Sequence, residues 1–130
     1  MYNNRGRCET VKQKTGYVYD TRFLEHRLSP GHPESPGRLK AIESELERTG
    51  LSQKLHQLEI QTGETTAEEA LRAVHSDEHI RSVRGTEPAG SIALLAVRGV
   101  LQAADDIFAG KVDNAFCAVR PPGHHSHNNG

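Results

Sequence analysis

The stretch that decides the fold runs from Asp113 to His125 and reads DNAFCAVRPPGHH. A turn opens it, and the apolar run Ala115–Val119 that follows predicts a short buried strand. Two prolines then stiffen the chain before two adjacent histidines. Functional loops collect at the carboxyl ends of parallel strands, so this stretch predicts an α/β fold with a site at one sheet edge.

The residues upstream alternate between strand and helix patterns. Two further strands are predicted at 15–20 and 55–60, where β-branched, aromatic or alternating apolar residues occur. Four segments carry apolar residues at helical spacing, and they are 38–48, 65–74, 76–84 and 92–109. The order strand, helix, strand, helices, strand predicts a layered α/β fold with parallel strands.

The helix ends have recognisable signals. Thr65, Ser76 and Ser91 precede helical segments and are predicted N-caps, since their hydroxyls can accept from free N–H groups. Gly50 and Gly110 follow helical segments and are predicted stops.

A loop rich in breakers, SPGHPESPG at 29–37, follows the first predicted strand. Its three prolines exclude a helix interior. The loop after Val119, which carries the two histidines and is called the histidine loop here, follows another predicted strand. Since both loops follow parallel strands, they should lie near each other.

The longest predicted helix is apolar over most of its circumference. Its predicted buried stripe contains Ile92, Leu95, Ala96, Val100, Ala103, Ala104 and Ile107. Four more apolar residues fall partly outside that stripe, and they are Leu94, Val97, Leu101 and Phe108. Such a helix is usually buried on more than one side, so its second side needs a partner.

Composition limits the function classes. The 130 residues suffice for one domain, and 16 Lys and Arg against 17 Asp and Glu argue against nucleic-acid binding. No apolar run is long enough for a bilayer, and no signal-peptide pattern begins the chain. Cys8 and Cys117 are too far apart for a CxxC motif, and Cys117 is predicted to be a small buried thiol. We expect a cytoplasmic protein with a flexible leader at 1–14 and one domain at 15–130.

His124 and His125 are the candidate catalytic residues. Histidine transfers protons near neutral pH, and Gly123 lets the backbone approach a ligand. Two other interpretations stay open: a histidine-rich exposed tail, or loose metal chelation by both histidines together with His127.

Several separated motifs give the chain a resemblance to a known family. TGYVYD at 15–20, GHPE at 31–34, AVHSDEH at 73–79 and DNAFCAVRPPGHH at 113–125 occur in the order found in that family. Together they resemble the N-terminal part of histone deacetylase-like enzymes and acetylpolyamine amidohydrolases.

The resemblance implies a truncated arginase/deacetylase-like fold of about three parallel strands, in the order 2-1-3, with four to five helices. By position, His125 would match the family's general base and acid, and His124 its supporting neighbour. Pro122 and Gly123 would contact substrate, and the proline-rich loop would brace the rim of the site. The family uses Zn²⁺, but its metal ligands follow the histidine pair, so we expect no metal site and no cofactor in this chain.

The resemblance predicts a deacetylase-like protein without catalytic activity as an isolated chain. We expect it to form a homo-oligomer through the third strand's edge or the long helix. Two alternatives remain: an enzyme portion completed in trans by a C-terminal complement, and a small binding module. Neither nucleic acid nor a membrane is an expected partner.

Overall fold

The structure, a computed structural model, describes residues 13–123. Its sheet contains the parallel strands β1 (Thr15–Val18), β2 (Leu55–Gln57) and β3 (Asn114–Cys117) in the order β2-β1-β3. Its helices are α1 (Pro36–Arg48), α2 (Glu64–Arg72), α3 (Asp77–Arg84) and α4 (Ala89–Phe108). The α/β class, strand order and helix number are confirmed, and most of the predicted leader lies outside the described residues.

All three strands are shorter than predicted. β1 stops at Val18, and the Asp20 side chain then caps a 3₁₀ turn by accepting from the Arg22 N–H. Past β2, the backbone N–H groups of Gln61 and Thr62 donate to the Gln102 carboxamide of α4 rather than to a strand. Leu58 N–H, one residue past β2, still donates to the Tyr17 carbonyl of β1 at 2.8 Å. Side-chain acceptors thus bind the backbone just beyond the ends of the predicted strands.

The helix signals are partly confirmed. The Ser76 hydroxyl accepts from His79 N–H, and Gly50 and Gly110 have φ of +68° and +69° beyond their helices. The predicted caps at Thr65 and Ser91 are wrong, because α2 begins at Glu64 and α4 at Ala89.

A close helix contact explains the early start of α4. A Cβ placed on Gly90 would lie 2.3 Å from the Val83 carbonyl oxygen of α3. Only glycine allows the two backbones to approach this closely, and α4 therefore already packs on α3 in its first turn.

The inner face of α4 packs on the sheet. Ile92, Leu95, Ala96 and Ala103 are buried there. A Cβ on Gly99 would lie 2.7 Å from Val18 Cγ1 of β1, so a glycine is needed at this crossing.

The predicted stripe on α4 is wrong at two positions, and α4 is also buried at one position outside the stripe. Val100 and Ile107 are 47% and 38% exposed, whereas Leu94 is buried. Leu94 packs in the helix layer because α2 and α3 cover that flank of α4. Cys117 is half-buried rather than buried, since β3 has a partner strand on only one side among the described residues.

Candidate functional site

A buried ion pair joins the two loops at the carboxyl edge of the sheet. Arg120 follows β3 and is 3% exposed. Its Nε and Nη2 donate to the two carboxylate oxygens of Glu34 at 2.5 and 2.8 Å, and its Nη1 donates to the Phe23 carbonyl at 3.2 Å. Glu34 belongs to the proline-rich loop after β1, so the prediction that the two loops lie together is confirmed.

The ion pair sets the charge state of its neighbours. The Arg120 guanidinium, which donates to Glu34, holds the pKa of that carboxyl below its usual range. Nε2 of His26 lies 3.9 Å from Glu34, yet burial, and secondarily the nearby Arg120 charge, lower the pKa of His26. His26 Nδ1 is enclosed and has no hydrogen-bond partner among residues 13–123. At neutral pH this cluster therefore contains a buried ion pair beside a neutral imidazole.

Such a pair fixes geometry more than it adds stability. A bidentate arginine–carboxylate contact imposes one mutual orientation on the two side chains. Desolvation offsets most of the Coulomb attraction, but removing one partner leaves a costly unpaired buried charge. Arg120 and Glu34 accordingly anchor the chain immediately before the Pro121–Gly123 turn.

The two predicted site residues that the structure describes line a groove. Pro122 and Gly123 line an apolar groove of about 470 Å³. Pro122 also borders a second hollow with His26, His32 and Glu34, so the proline-rich loop does flank this turn. His124 and His125, like His127, lie outside the described residues, and their proposed roles stay predictions.

Helices α2, α3 and α4 form the walls of this groove, which we call the helix groove. Its apolar lining includes Leu71, Ile80, Val83, Leu94, Val97 and Leu101. Val119 continues the lining from α4 towards the end of β3. The groove thus runs from the helix layer to the turn that precedes the histidine pair.

Two histidines of the AVHSDEH motif also line the helix groove. The rings of His75 and His79 have centroids 5.0 Å apart, as side chains four residues apart allow near a helix start. His75 Nδ1 is enclosed without a hydrogen-bond partner in the described part of the chain.

The ion pair itself was not predicted. The available signal was an arginine between an apolar strand and two prolines, because a charge at such a place needs a buried counter-ion.

Zinc does not fit the described residues. Within 13–123, no three His, Cys, Asp or Glu side chains are grouped closely enough to hold a metal ion. Dedicated zinc sites need three or four such ligands on rigid elements. Across the same residues, no helix is both long and apolar enough to cross a membrane.

Comparison with known proteins gives consistent matches. Residues 32–130 match the family model described as "Histone deacetylase domain". A "Probable deacetylase" from Archaeoglobus fulgidus is 30% identical over 126 residues, which cover 86% of this chain and 35% of that protein. Histone deacetylase 15 from Arabidopsis thaliana is 34% identical, with coverage of 93% and 25%.

The match extends to three dimensions. The crystal structure of the HDA15 HD domain superposes with a TM-score of 0.76 at 28% identity, covering 92% of this chain and 38% of that one. The chain therefore spans between a quarter and two fifths of the length of these three relatives.

Proposed function

This chain belongs to the histone deacetylase family, and we propose that it supplies the histidine-bearing wall of a deacetylase active site. The remaining walls, including the metal ligands, would come from polypeptide that corresponds to the rest of the relatives' length. The family reaction is the hydrolysis of an acetyl amide, on acetyl-lysine or an acetylated polyamine.

The observation that carries this proposal is the anchored loop. Arg120, buried between Glu34 and the Phe23 carbonyl, fixes the chain four residues before His124. A catalytic histidine must be held in place by rigid supporting contacts, and the Arg120 contacts supply such support at the base of its loop.

In the proposed chemistry His125 is the proton-transfer group. It would accept the proton of the attacking water and later donate a proton to the departing amine, with His124 beside it. Zinc, where the family's ligands bind it, polarises the amide carbonyl. No contact in 13–123 supplies that electrophilic assistance, which is usually the largest contribution to such catalysis.

We therefore propose that a polypeptide of residues 1–130 alone does not deacetylate. The test is an assay of the purified chain with added Zn²⁺ on an acetyl-lysine peptide and on acetylpolyamines. We expect no turnover above that of Zn²⁺ alone. Turnover that the substitution His125→Ala abolishes would contradict the proposal, since it would show a complete site.

We also propose that the isolated chain is cytoplasmic and self-associates through β3. Among the described residues β3 is an edge strand, and Phe116 on it is 43% exposed. Unpaired strand edges are templates for pairing with another chain. Light scattering should give a mass above that of one chain, and Phe116→Lys, which adds charge at this edge, should reduce it. A wild-type mass of 14.3 kDa would refute self-association.

A further inference from the structure

The helix groove leaves part of the apolar surface of α4 uncovered. Val100 is 47% exposed, and Val97 and Leu101 on its two sides are only half-buried. Opposite them lie Leu71, Ile80 and Val83 of α2 and α3. A contiguous apolar groove on a small domain usually marks a binding surface.

Two features bear on what could cover this groove. The turn Pro121–Gly123 lines it, so the last described residue lies at the groove. In the HDA15 HD domain the matched part is only 38% of the chain, so more than half of that chain lies outside the matched part.

The open edge of β3 lies next to the same groove. Val119, two residues after β3, lines the groove, and α4 packs directly on β3. One partner could therefore extend the sheet at β3 and fill the groove above it. A free ligand of small size would use only the groove.

We propose that the helix groove is the docking surface for the polypeptide that follows this segment in the longer relatives. That polypeptide docks whether the same chain or a separate one supplies it. The inference rests on the proposed function and adds to that function the surface through which the active site is completed. The partner must present apolar side chains to Val97, Val100 and Leu101.

The experiment uses residues 1–130 and a second, separately encoded chain. The probe is the part of the Archaeoglobus fulgidus relative that follows its matched segment, co-expressed with the 130-residue chain and then titrated by calorimetry. Two variants on the same helix are compared. Val100→Glu places a carboxylate in the groove, whereas Phe108→Glu changes a residue that is 90% exposed and does not line the groove.

Binding by the wild type should weaken on the order of tenfold or more in Val100→Glu, because an unpaired carboxylate is costly in an apolar contact. Phe108→Glu should bind as the wild type does. Since both sites are exposed in the free chain, circular dichroism should show both variants folded. Leu101→Met, which keeps volume and polarity, is the second variant and should retain binding.

Three results would overturn the proposal. In the first, the wild-type chain does not bind the probe. In the second, both glutamate variants weaken binding equally. In the third, the probe does not bind, and the chain forms a homodimer that Val100→Glu dissociates and Phe108→Glu does not. The last result would assign the groove to a second copy. Because this readout is affinity, complex formation without deacetylation would leave the docking surface standing and would count against the proposed function alone.

Discussion

Replacement of Arg120 by methionine tests the anchored loop most severely. The side chains of Arg120 and Glu34 are 4% and 11% exposed, so methionine leaves a buried carboxylate facing an apolar group. Breaking a buried pair in this way costs about 3 kcal/mol or more. That is a large share of the ~5–15 kcal/mol that stabilises an ordinary domain.

The expected shift in melting temperature follows from the size of the fold. With an unfolding entropy of about 2.1 cal/mol/K per residue over residues 13–123, a loss of about 3 kcal/mol lowers Tm by roughly 13 °C. Differential scanning calorimetry at pH 7.5 measures this directly. The matched control is Arg48→Met, which breaks an exposed arginine–glutamate pair with Glu45 and should leave Tm unchanged.

A double variant separates the ion pair from packing. Arg120→Met combined with Glu34→Leu removes both charges, and it should recover much of the loss because no unpaired charge remains. The reasoning is refuted if Arg120→Met lowers Tm no more than Arg48→Met does. It also fails if the double variant is less stable than the sum of its single changes predicts.

Three further predictions concern other contacts. The pKa of His26 in the folded state is below its ordinary 6.5, so the unfolded chain binds more protons and the free energy of unfolding should fall as the pH drops through 6.5. The pKa of Glu34 is below its ordinary 4.5, so the free energy of unfolding should fall a second time at lower pH. Urea titrations at several pH values check this, and His26→Gln should remove the first loss alone. Gly99→Ala should destabilise the fold by about 1–3 kcal/mol, because the added Cβ would clash with Val18. The control Gly37→Ala should not, because no neighbour would lie closer than 3.4 Å to its Cβ. A Gly99→Ala variant more stable than the wild type would contradict the packing of α4 on β1. Gln102→Leu should cost about 1–3 kcal/mol by chemical denaturation, because the N–H groups of residues 61 and 62 lose their acceptor, and an unchanged midpoint would show that water replaces it.

The fold was predictable because its signals are local. Apolar, aromatic or alternating residues located the three strands of the described residues, and helical spacing located their four α-helices. The strand order 2-1-3 came from the resemblance. The wrong cap at Ser91 goes with the approach of Gly90 to Val83, a contact between helices that no local pattern encodes. Nothing in the structure explains why α2 begins at Glu64 rather than after Thr65.

The candidate site was predictable only in part. The sequence predicted that the proline-rich and histidine loops meet, because both follow parallel strands. It did not predict the pairing of Arg120 with Glu34, since those residues are 86 positions apart. Nor did it predict the helix groove, which depends on how α2 and α3 pack beside α4. The roles of His124 and His125 remain predictions from the resemblance.

The most direct test of the central claim is a deacetylation assay of a completed chain. Residues 1–130 are fused to the part of the Archaeoglobus fulgidus relative that follows its matched segment, and the rate on an acetyl-lysine peptide with Zn²⁺ is compared with that of the His125→Ala variant. If this chain supplies the proton-transfer histidine, the fusion hydrolyses the peptide and the variant is slower by about 100-fold or more. An active fusion in which His125→Ala keeps the full rate would contradict the claim.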